Sequence, residues 1–476
     1  MIKEMFENKN IRILAKVCII LISICIYWCL IPFLVNNVGV FILGVIFVSI
    51  VIYFLTKNVN SLFILLLVLK PLIDLSWKRD FIVIFNKGLN LQGIIAITLP
   101  FAFIFLILLK KRNNFVFSKE ITLFLLSITF SSVVFGSTGW ALITYFRFIG
   151  GIVFFVLVGK ILNDEYKIVK FMYYVIMIMY VPIILSFLQL LGILPYEYWD
   201  VVSYLGYVGR ATATYKHPAD LIRILIFSNV FALFLINYYK GSKIKMSIVN
   251  IFIILELIVL YFTYHRTGIL IIISQILIWF YLNKRVKILF LISIFGCLVG
   301  VIYWDNIYSL LFNNLLMNPF TQSDDFLRGR GQHWGYYFTA YSQLPFYKQL
   351  FGAGTDFIEF VRNNEIITTD EPHSDLLRIF YTYGVIGFLL YFNMLLYFYN
   401  CTQKLRKLAI KARNVFHLKL ANLYLIILVS LILFSVTTQP TTYPTFVWYF
   451  FSMSSIIVYQ YRILVKREAD LNAKIE

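Results

Sequence analysis

The chain has 476 residues, of which 61% are hydrophobic and 14% charged, and its mean hydropathy is +0.83. A water-soluble core of this size does not need so much apolar surface, so the composition points to a polytopic membrane protein. The formal net charge is +19, but Lys and Arg stand in short clusters between apolar runs, where they orient a membrane protein rather than bind nucleic acid.

A helix needs about 20 apolar residues to cross the hydrocarbon core. On that measure the sequence predicts an all-α polytopic membrane protein with about fourteen transmembrane helices. They fall near 13–35, 38–56, 60–76, 91–109, 119–136, 138–159, 170–192, 219–238, 247–264, 267–283, 287–303, 377–400, 418–437 and 445–463. Lys70, Pro71 and Asp74 interrupt the third run, so about twelve or thirteen spans is the alternative. The first run, Leu14 to Val35, reads as a retained anchor, because it is longer than a signal-peptide core and lacks a small-residue cleavage site. Cys18, Cys25, Cys29, Cys297 and Cys401 lie inside apolar runs or beside a basic cluster. No disulfide framework or CxxC metal site is indicated.

Basic clusters occupy alternate gaps: Lys3/Lys9/Arg12, Lys57, Lys110 to Arg112, Lys160 to Lys170, Lys240 to Lys245, Lys284 to Lys287, Lys404 to Arg413, and Arg462 to Arg467. The positive-inside rule makes these gaps, and both termini, cytoplasmic. The outer side then receives 77–91, 194–219, the turn His265-Arg266-Thr267-Gly268, the long polar stretch from Trp304, and 439–444. The expected organisation is transmembrane helices 1–11 in residues 1–303, an extracytoplasmic loop at 304–376, and helices 12–14 in 377–476. A loop of about 70 residues exceeds the usual structureless connection, so part of it should fold. Asp324 to Ser342 has helical spacing, with Arg330, Trp334, Tyr337 and Tyr341 on one stripe. Pro345 breaks it, and Gly352-Ala353-Gly354 reads as a tight turn.

Cations at outer helix ends run against the positive-inside bias. Arg210 opens Gly209-Arg210-Ala211-Thr212-Ala213-Thr214-Tyr215-Lys216-His217-Pro218; Arg266 caps another span; Arg328 and Arg330 come from the loop; His373 and Arg378 begin the span after it. Guanidinium groups converging at the headgroup level suit an anion such as a lipid diphosphate, because Arg stays charged and binds phosphate oxygens bidentately. The plainer alternative is that each Arg snorkels to lipid headgroups or pairs locally.

His373 has the best acid/base setting of the five histidines, one residue after a proline at a helix start, with Asp370, Glu371 and Asp375 nearby. A structural His is the competing reading. His217 is the second choice, His265 and His333 also face out, and His417 falls on the cytoplasmic side. Trp334, Tyr337 and Tyr341 suit either an aromatic platform for sugar rings or, preferentially, the stripe that packs the loop helix onto the membrane domain. Within the spans, Arg147 and Glu256 are hardest to leave unpaired in lipid, which makes them functional candidates. The absence of a Walker A loop, GxGxxG, HExxH and GxSxG argues against nucleotide-driven chemistry and against zinc or serine hydrolysis.

Across residues 200–390 the layout resembles the O-antigen ligase and O-antigen or capsular polysaccharide polymerase superfamily, integral membrane glycosyltransferases of class C. The resemblance rests on four pieces in order: Arg210 to Pro218; Tyr264-His265-Arg266-Thr267-Gly268; Arg330 and Trp334 followed by Leu350-Phe351-Gly352-Ala353-Gly354; and His373 with Gly384-Val385-Ile386-Gly387. Departures are Ser374 where the family usually has Asn, Thr382 where an acidic residue is common, and Ala213 where a glycine is common. They bear on the choice between ligase and polymerase.

The resemblance implies an undecaprenyl-diphosphate-linked oligosaccharide as donor and acceptor at the outer face of the bacterial inner membrane. Arg210 and Arg266 would bind the donor diphosphate without a metal or other cofactor, and His373 would activate the acceptor hydroxyl, giving inversion at the anomeric carbon. Arg328 and Arg330 would assist from the loop, with Trp334, His217, Tyr337 and Arg147 as further substrate-binding candidates. A chain-length regulator and a flippase are the implied protein partners. Competing with the polymerase reading are a ligase that delivers the glycan to a lipid A core or other acceptor, and a polysaccharide flippase or transporter. A transporter should show repeat halves and interrupted midplane helices, whereas the unusual polar residues here gather at one face.

Overall fold

The computed structural model describes residues 59–75, 80–84, 87–90, 95, 118–136, 139–194, 210–213, 215, 217–285, 287, 330–354, 357, 361 and 373–473. The chain divides into two units, Met1–Leu65 and Leu66–Glu476. Of the smaller, only residues 59–65, the opening turns of a helix, are described.

Twelve α-helices and one hairpin make up the described residues: α1 Val59–Asp74, β1 Asp80–Ile84, β2 Lys87–Asn90, α2 Lys119–Val134, α3 Gly139–Ile161, α4 Glu165–Leu190, α5 Pro218–Tyr238, α6 Lys243–Phe262, α7 Arg266–Leu282, α8 Arg330–Ser342, α9 Phe346–Phe351, α10 Asp375–Lys411, α11 Val415–Thr437 and α12 Pro444–Asn472. All the helices except α8 and α9 fall on predicted spans. The predicted runs 13–35, 38–56, 91–109 and 287–303 lie outside the described residues apart from Ile95 and Lys287. Among the described helices α4, α5, α6, α10 and α11 are long and apolar enough to cross a membrane. The all-α expectation needs one amendment: β1 and β2 pair antiparallel, in the gap between α1 and the next predicted span. Asp80-Phe81-Ile82-Val83-Ile84 carries the β-branched and aromatic residues that favour a pleated strand.

The charges that interrupt the α1 sequence are accommodated inside the protein. Lys70 and Asp74, one turn apart on one face, form a buried ion pair. Asp74 also accepts the Thr445 hydroxyl, and the Lys70 ammonium sits 4.9 Å from the Trp448 ring centroid. A charge in an apolar bundle is tolerated when it is paired and hydrogen-bonded in this way. Tyr449 donates at 3.0 Å to the carbonyl of Leu67, which Pro71, lacking an N–H, leaves without its ladder donor, and Tyr215 donates at 2.8 Å to the carbonyl of Pro71 in the last turn of α1.

Small residues bring α3 and α12 close together. A Cβ on Gly151 would stand 2.5 Å from Val447, and one on Gly159 would stand 2.6 Å from the Ser455 carbonyl. Gly159 N donates to Ser455 Oγ at 2.7 Å, and that hydroxyl donates to Phe155 O. Helices in lipid gain little from apolar burial, so close backbone approach supplies the packing that holds α3 on α12.

Helix α5 lies at the centre of the bundle, its apolar window 89% buried. A buried polar network ties it to its neighbours: Asn229 donates to Gln275 at 2.7 Å, and Gln275 donates to Ile226 O and to Ser430 Oγ at 3.0 and 2.9 Å. These bonds fix the register of α5, α7 and α11, because a slip would strand polar groups in an apolar interior.

Helix α10 is kinked at Gly384, whose φ of 71° and ψ of −177° interrupt the helix. That backbone region is essentially restricted to glycine. The loop after α9 docks into the break: Ala353 N donates to Tyr381 O at 3.1 Å and Gly354 N to Thr382 O at 3.2 Å. From α2, Ser131 donates to the same Thr382 carbonyl at 2.5 Å. The carbonyls released by the kink are thus capped by the loop and by α2.

Candidate functional site

The segment before α5 is held by Gln189, near the end of α4. Its side-chain oxygen accepts from Thr212 N and Ala213 N at 3.0 and 2.9 Å, and its amide donates to Thr212 Oγ1 at 3.1 Å. Ala213 adopts a positive φ of 52°. This conformation normally favours glycine and is here stabilised by the three contacts to Gln189. Sequence reasoning passed over Gln189, although a Gln near the C-terminal end of an apolar helix is the available signal.

Held in this way, residues 210 and 211 dock on the C-terminal end of α6. Ala211 N donates to Phe262 O at 3.0 Å. The Arg210 side chain donates through Nε to Thr263 O at 2.8 Å and through Nη2 to Tyr264 O at 3.1 Å. Two bonds from one edge fix the guanidinium plane. The carbonyls that receive them belong to the turn that leads, two residues later, into Arg266.

Arg266 is the first residue of α7 and is half-buried. His265 caps this helix, its Nδ1 accepting from Gly268 N at 3.1 Å. His217 caps α5 similarly, accepting from Ala219 N at 3.0 Å. A Cβ on Gly268 would meet Ile222 at 2.7 Å, so the first turns of α5 and α7 are in contact. Two helix N-termini therefore lie side by side, bringing two positive dipole ends together with Arg210 and Arg266. That combination favours a multiply charged anion.

His373 reaches the same end of the bundle through α11. It is exposed, has a positive φ of 49°, and immediately precedes the α10 N-cap Ser374. Ser374 Oγ donates to Ser435 O at 3.2 Å, and Asp375 N donates to Thr438 O at 2.9 Å. The adjoining Phe434 ring stands 6.4 Å from the His265 ring. The last turn of α11 thus separates the start of α10 from the turn that carries Arg266.

Asp375, which the sequence offered as a carboxylate to orient His373, clamps the α11–α12 connection. Its oxygens accept from Thr441 N at 2.8 Å, Thr441 Oγ1 at 2.7 Å and Arg378 Nε at 3.2 Å. Asp370 and Glu371 lie outside the described residues. Another pair that sequence reasoning missed is Arg223 with Asp220 on the first turns of α5. The Arg223 guanidinium lies 5.4 Å from the Tyr443 ring centroid. An i,i+3 Asp–Arg pair on an otherwise apolar helix is the signal that could have found it.

In the loop, α8 and α9 pack against α10. Tyr337 is buried and stacks on Tyr381 at 5.7 Å. Tyr341 donates to Gln349 O at 2.6 Å, and burial holds its phenol above the ordinary value. Together with Phe357, Val361 and Tyr381 they form one apolar cluster. In this arrangement the aromatic stripe fastens the loop to the membrane domain. Trp334 is half-buried at the start of the stripe.

Arg328 and the side chains of Arg147, Arg330 and His333 lie outside the described residues, as does Asp324 to Gly329 of the predicted loop helix. Glu256 is buried and accepts from Ser228 at 3.0 Å. His417 is an interior group whose Nε2 lies 3.0 Å from Gln460 Oε1. Among the described residues no group of three His, Cys, Asp or Glu side chains is placed to hold a metal ion.

Residues 251–392 match the model of the O-antigen ligase family. The matched segment is under a third of the chain, and it supports the resemblance to the O-antigen ligase and polymerase superfamily. It runs from α6 through Arg266, the loop helices, His373 and the Gly384 kink, and stops short of Arg210 and His217. Arg210 nevertheless donates to two carbonyls inside it. A comparison with curated proteins finds no match.

Proposed function

We propose that this protein is a membrane glycosyltransferase that polymerises lipid-linked oligosaccharide repeat units at the outer face of a bacterial inner membrane, with both termini in the cytoplasm. The observation that carries the reading is the docking of Arg210 onto the carbonyls of Thr263 and Tyr264, beside Arg266 and the paired N-termini of α5 and α7. These groups suit the diphosphate of an undecaprenyl-diphosphate-linked donor.

In the proposed reaction a hydroxyl of the acceptor glycan attacks the anomeric carbon from the face opposite the diphosphate. The new glycosidic bond forms as the anomeric carbon–oxygen bond to the diphosphate breaks, with inversion. Arg210 and Arg266 stabilise the charge that collects on the departing undecaprenyl diphosphate. His373 takes the proton of the attacking hydroxyl. Arg328, Arg330, Trp334, His217 and Arg147 are the residues we assign to contacts with the sugars, and Tyr337 holds the loop in place. Delivery of repeat units requires a flippase, and a chain-length regulator is the second expected partner. A ligase would use the same donor chemistry with a different acceptor.

Reconstitution with an undecaprenyl-diphosphate repeat unit tests this. A ladder of longer glycans still attached to undecaprenyl diphosphate identifies a polymerase; transfer only to a different acceptor identifies a ligase. Arg210→Lys and Arg266→Lys keep the charge but lose the planar fork, so donor binding falls and turnover drops by about 100-fold. His373→Ala stops transfer and spares donor binding. Normal turnover in all three folded variants overturns the site.

A further inference from the structure

At the opposite end of the bundle from the Arg210 site, α2, α10 and α12 enclose an open cavity of about 550 Å³. Glu120 enters it from the first turn of α2, Asn400 and Lys404 from α10, and Tyr461 and Arg462 from α12. The proposed reaction uses none of these residues. Lys404 and Arg462 are exposed, and neither has an ion-pair partner among the described residues.

The surface beside this polar floor is apolar and uncovered. Leu396, itself a lining residue, is 57% exposed, and Leu389 two turns further along α10 is 61% exposed. On α2, Leu123 and Leu126 rise from Glu120 and are 45% and 59% exposed. Helix α10 runs from the outer end toward its basic tail, so Leu389 and Leu396 lie nearer the middle of the membrane than Lys404, which is about 12 Å beyond Leu396 at 1.5 Å per residue. A polar, cationic floor under an apolar wall has the layout of a phospholipid, headgroup below and acyl chains alongside.

Charge narrows the class. Two cations and one carboxylate leave a single formal positive charge in the cavity, and the adjoining end of α12 adds Lys466 and Arg467, while Lys411 nearby is paired with Glu468. A headgroup with one phosphodiester charge and neutral hydroxyls neutralises that excess; a zwitterionic headgroup does not. Basic pockets between helices at the cytoplasmic surface are suited to anionic headgroups. We propose that this cavity is a binding site for one anionic phospholipid of the inner leaflet. The phosphodiester contacts Lys404 and Arg462, the headgroup hydroxyls face Glu120 and Asn400, and an acyl chain lies against Leu396. The leaflet assignment rests on the orientation proposed above, whereas the binding itself does not.

The test uses the full chain in detergent micelles, titrated with phosphatidylglycerol and read by native mass spectrometry. Wild type should retain one lipid. The Lys404→Gln/Arg462→Gln double variant should bind it about 30-fold more weakly, the loss of two basic contacts at a lipid surface. Lys407→Gln, an exposed cation on α10 outside the cavity, should bind as wild type does and serves as the control for generic charge. Phosphatidylethanolamine should bind more weakly than phosphatidylglycerol, and inorganic phosphate should not displace the lipid. Equal lipid retention by wild type and the double variant overturns the site. Equal binding of the two lipids overturns the anionic class, and displacement by millimolar phosphate would mean an anion site with no lipid specificity. Because micelles impose no sidedness, failure here leaves the orientation standing, and a reversed orientation leaves the measured binding standing.

Discussion

Arg210 and Arg266 were legible as residues because they oppose the charge bias of the outer side, and the hydrogen bonds that join their segments were not. The partners of Arg210 are backbone carbonyls of Thr263 and Tyr264, and a carbonyl leaves no mark in a sequence. Gln189 and Thr441 escaped notice for a related reason, since a neutral polar residue at a helix end is common and its partner lies far along the chain. Asp375 shows what such a residue does. It is buried, and one carboxylate bridges Arg378 to both the backbone and the side chain of Thr441. Removing one partner of a buried ion pair leaves the other charge uncompensated. Asp375→Ala should therefore lower stability by about 3 kcal/mol, measured by chemical denaturation in micelles, and Asp375→Asn, which keeps an acceptor, should lose less. Equal stability of wild type and Asp375→Ala would remove the clamp from the account of how the α11–α12 connection is held.

Among elements, α1 shows how a broken apolar pattern conceals a helix. Lys70, Pro71 and Asp74 argued against the run, yet the i,i+4 spacing lets the two charges pair on one face, and Thr445 and Trp448 of α12 supply the remaining contacts. The glycines after α9 and in α10 were read as separate motifs, and they are two sides of one joint. A Cβ on Gly384 would stand 2.3 Å from Gly352 N and 2.4 Å from Leu350 O; one on Gly352 would stand 2.1 Å from Thr382 O. Both residues also have positive φ, 71° and 102°, so any side chain adds backbone strain to the clash. Gly384→Ala should cost about 3 kcal/mol or more and separate the loop from α10, exposing Tyr341 and Tyr337. Limited proteolysis within 343–354 should then accelerate. A Gly384→Ala protein as protease-resistant as wild type would show that the loop is held by the tyrosine cluster alone.

For the whole molecule, the length of the apolar runs located every described helix except α8 and α9, because a span buried in lipid demands a continuous apolar run whatever its partners, and the helical spacing of its aromatic stripe located α8. Periodicity could not place the hairpin or the kink, which depend on local backbone choices within a few residues. The alternation of basic gaps assigned Arg210, Arg266 and His373 to one face, but it could not show that the N-termini of α5 and α7 meet there with Arg210 docked beside them, since that depends on which helices are neighbours. Sidedness joins these observations to the reaction. If the basic gaps are cytoplasmic, then α8 and the site face out, while the basic end of α10 faces in. Thr339 on α8 and Lys407 on α10 are both exposed, so single cysteines at these positions, in a background lacking the native five, report the two sides without disturbing packing. A membrane-impermeant maleimide should modify Thr339→Cys in intact cells and Lys407→Cys only after permeabilisation. The reverse pattern would place the arginines and His373 in the cytoplasm, away from donors displayed on the outer face, and the polymerase reading would fall with it even if the three residues still bound a diphosphate in micelles.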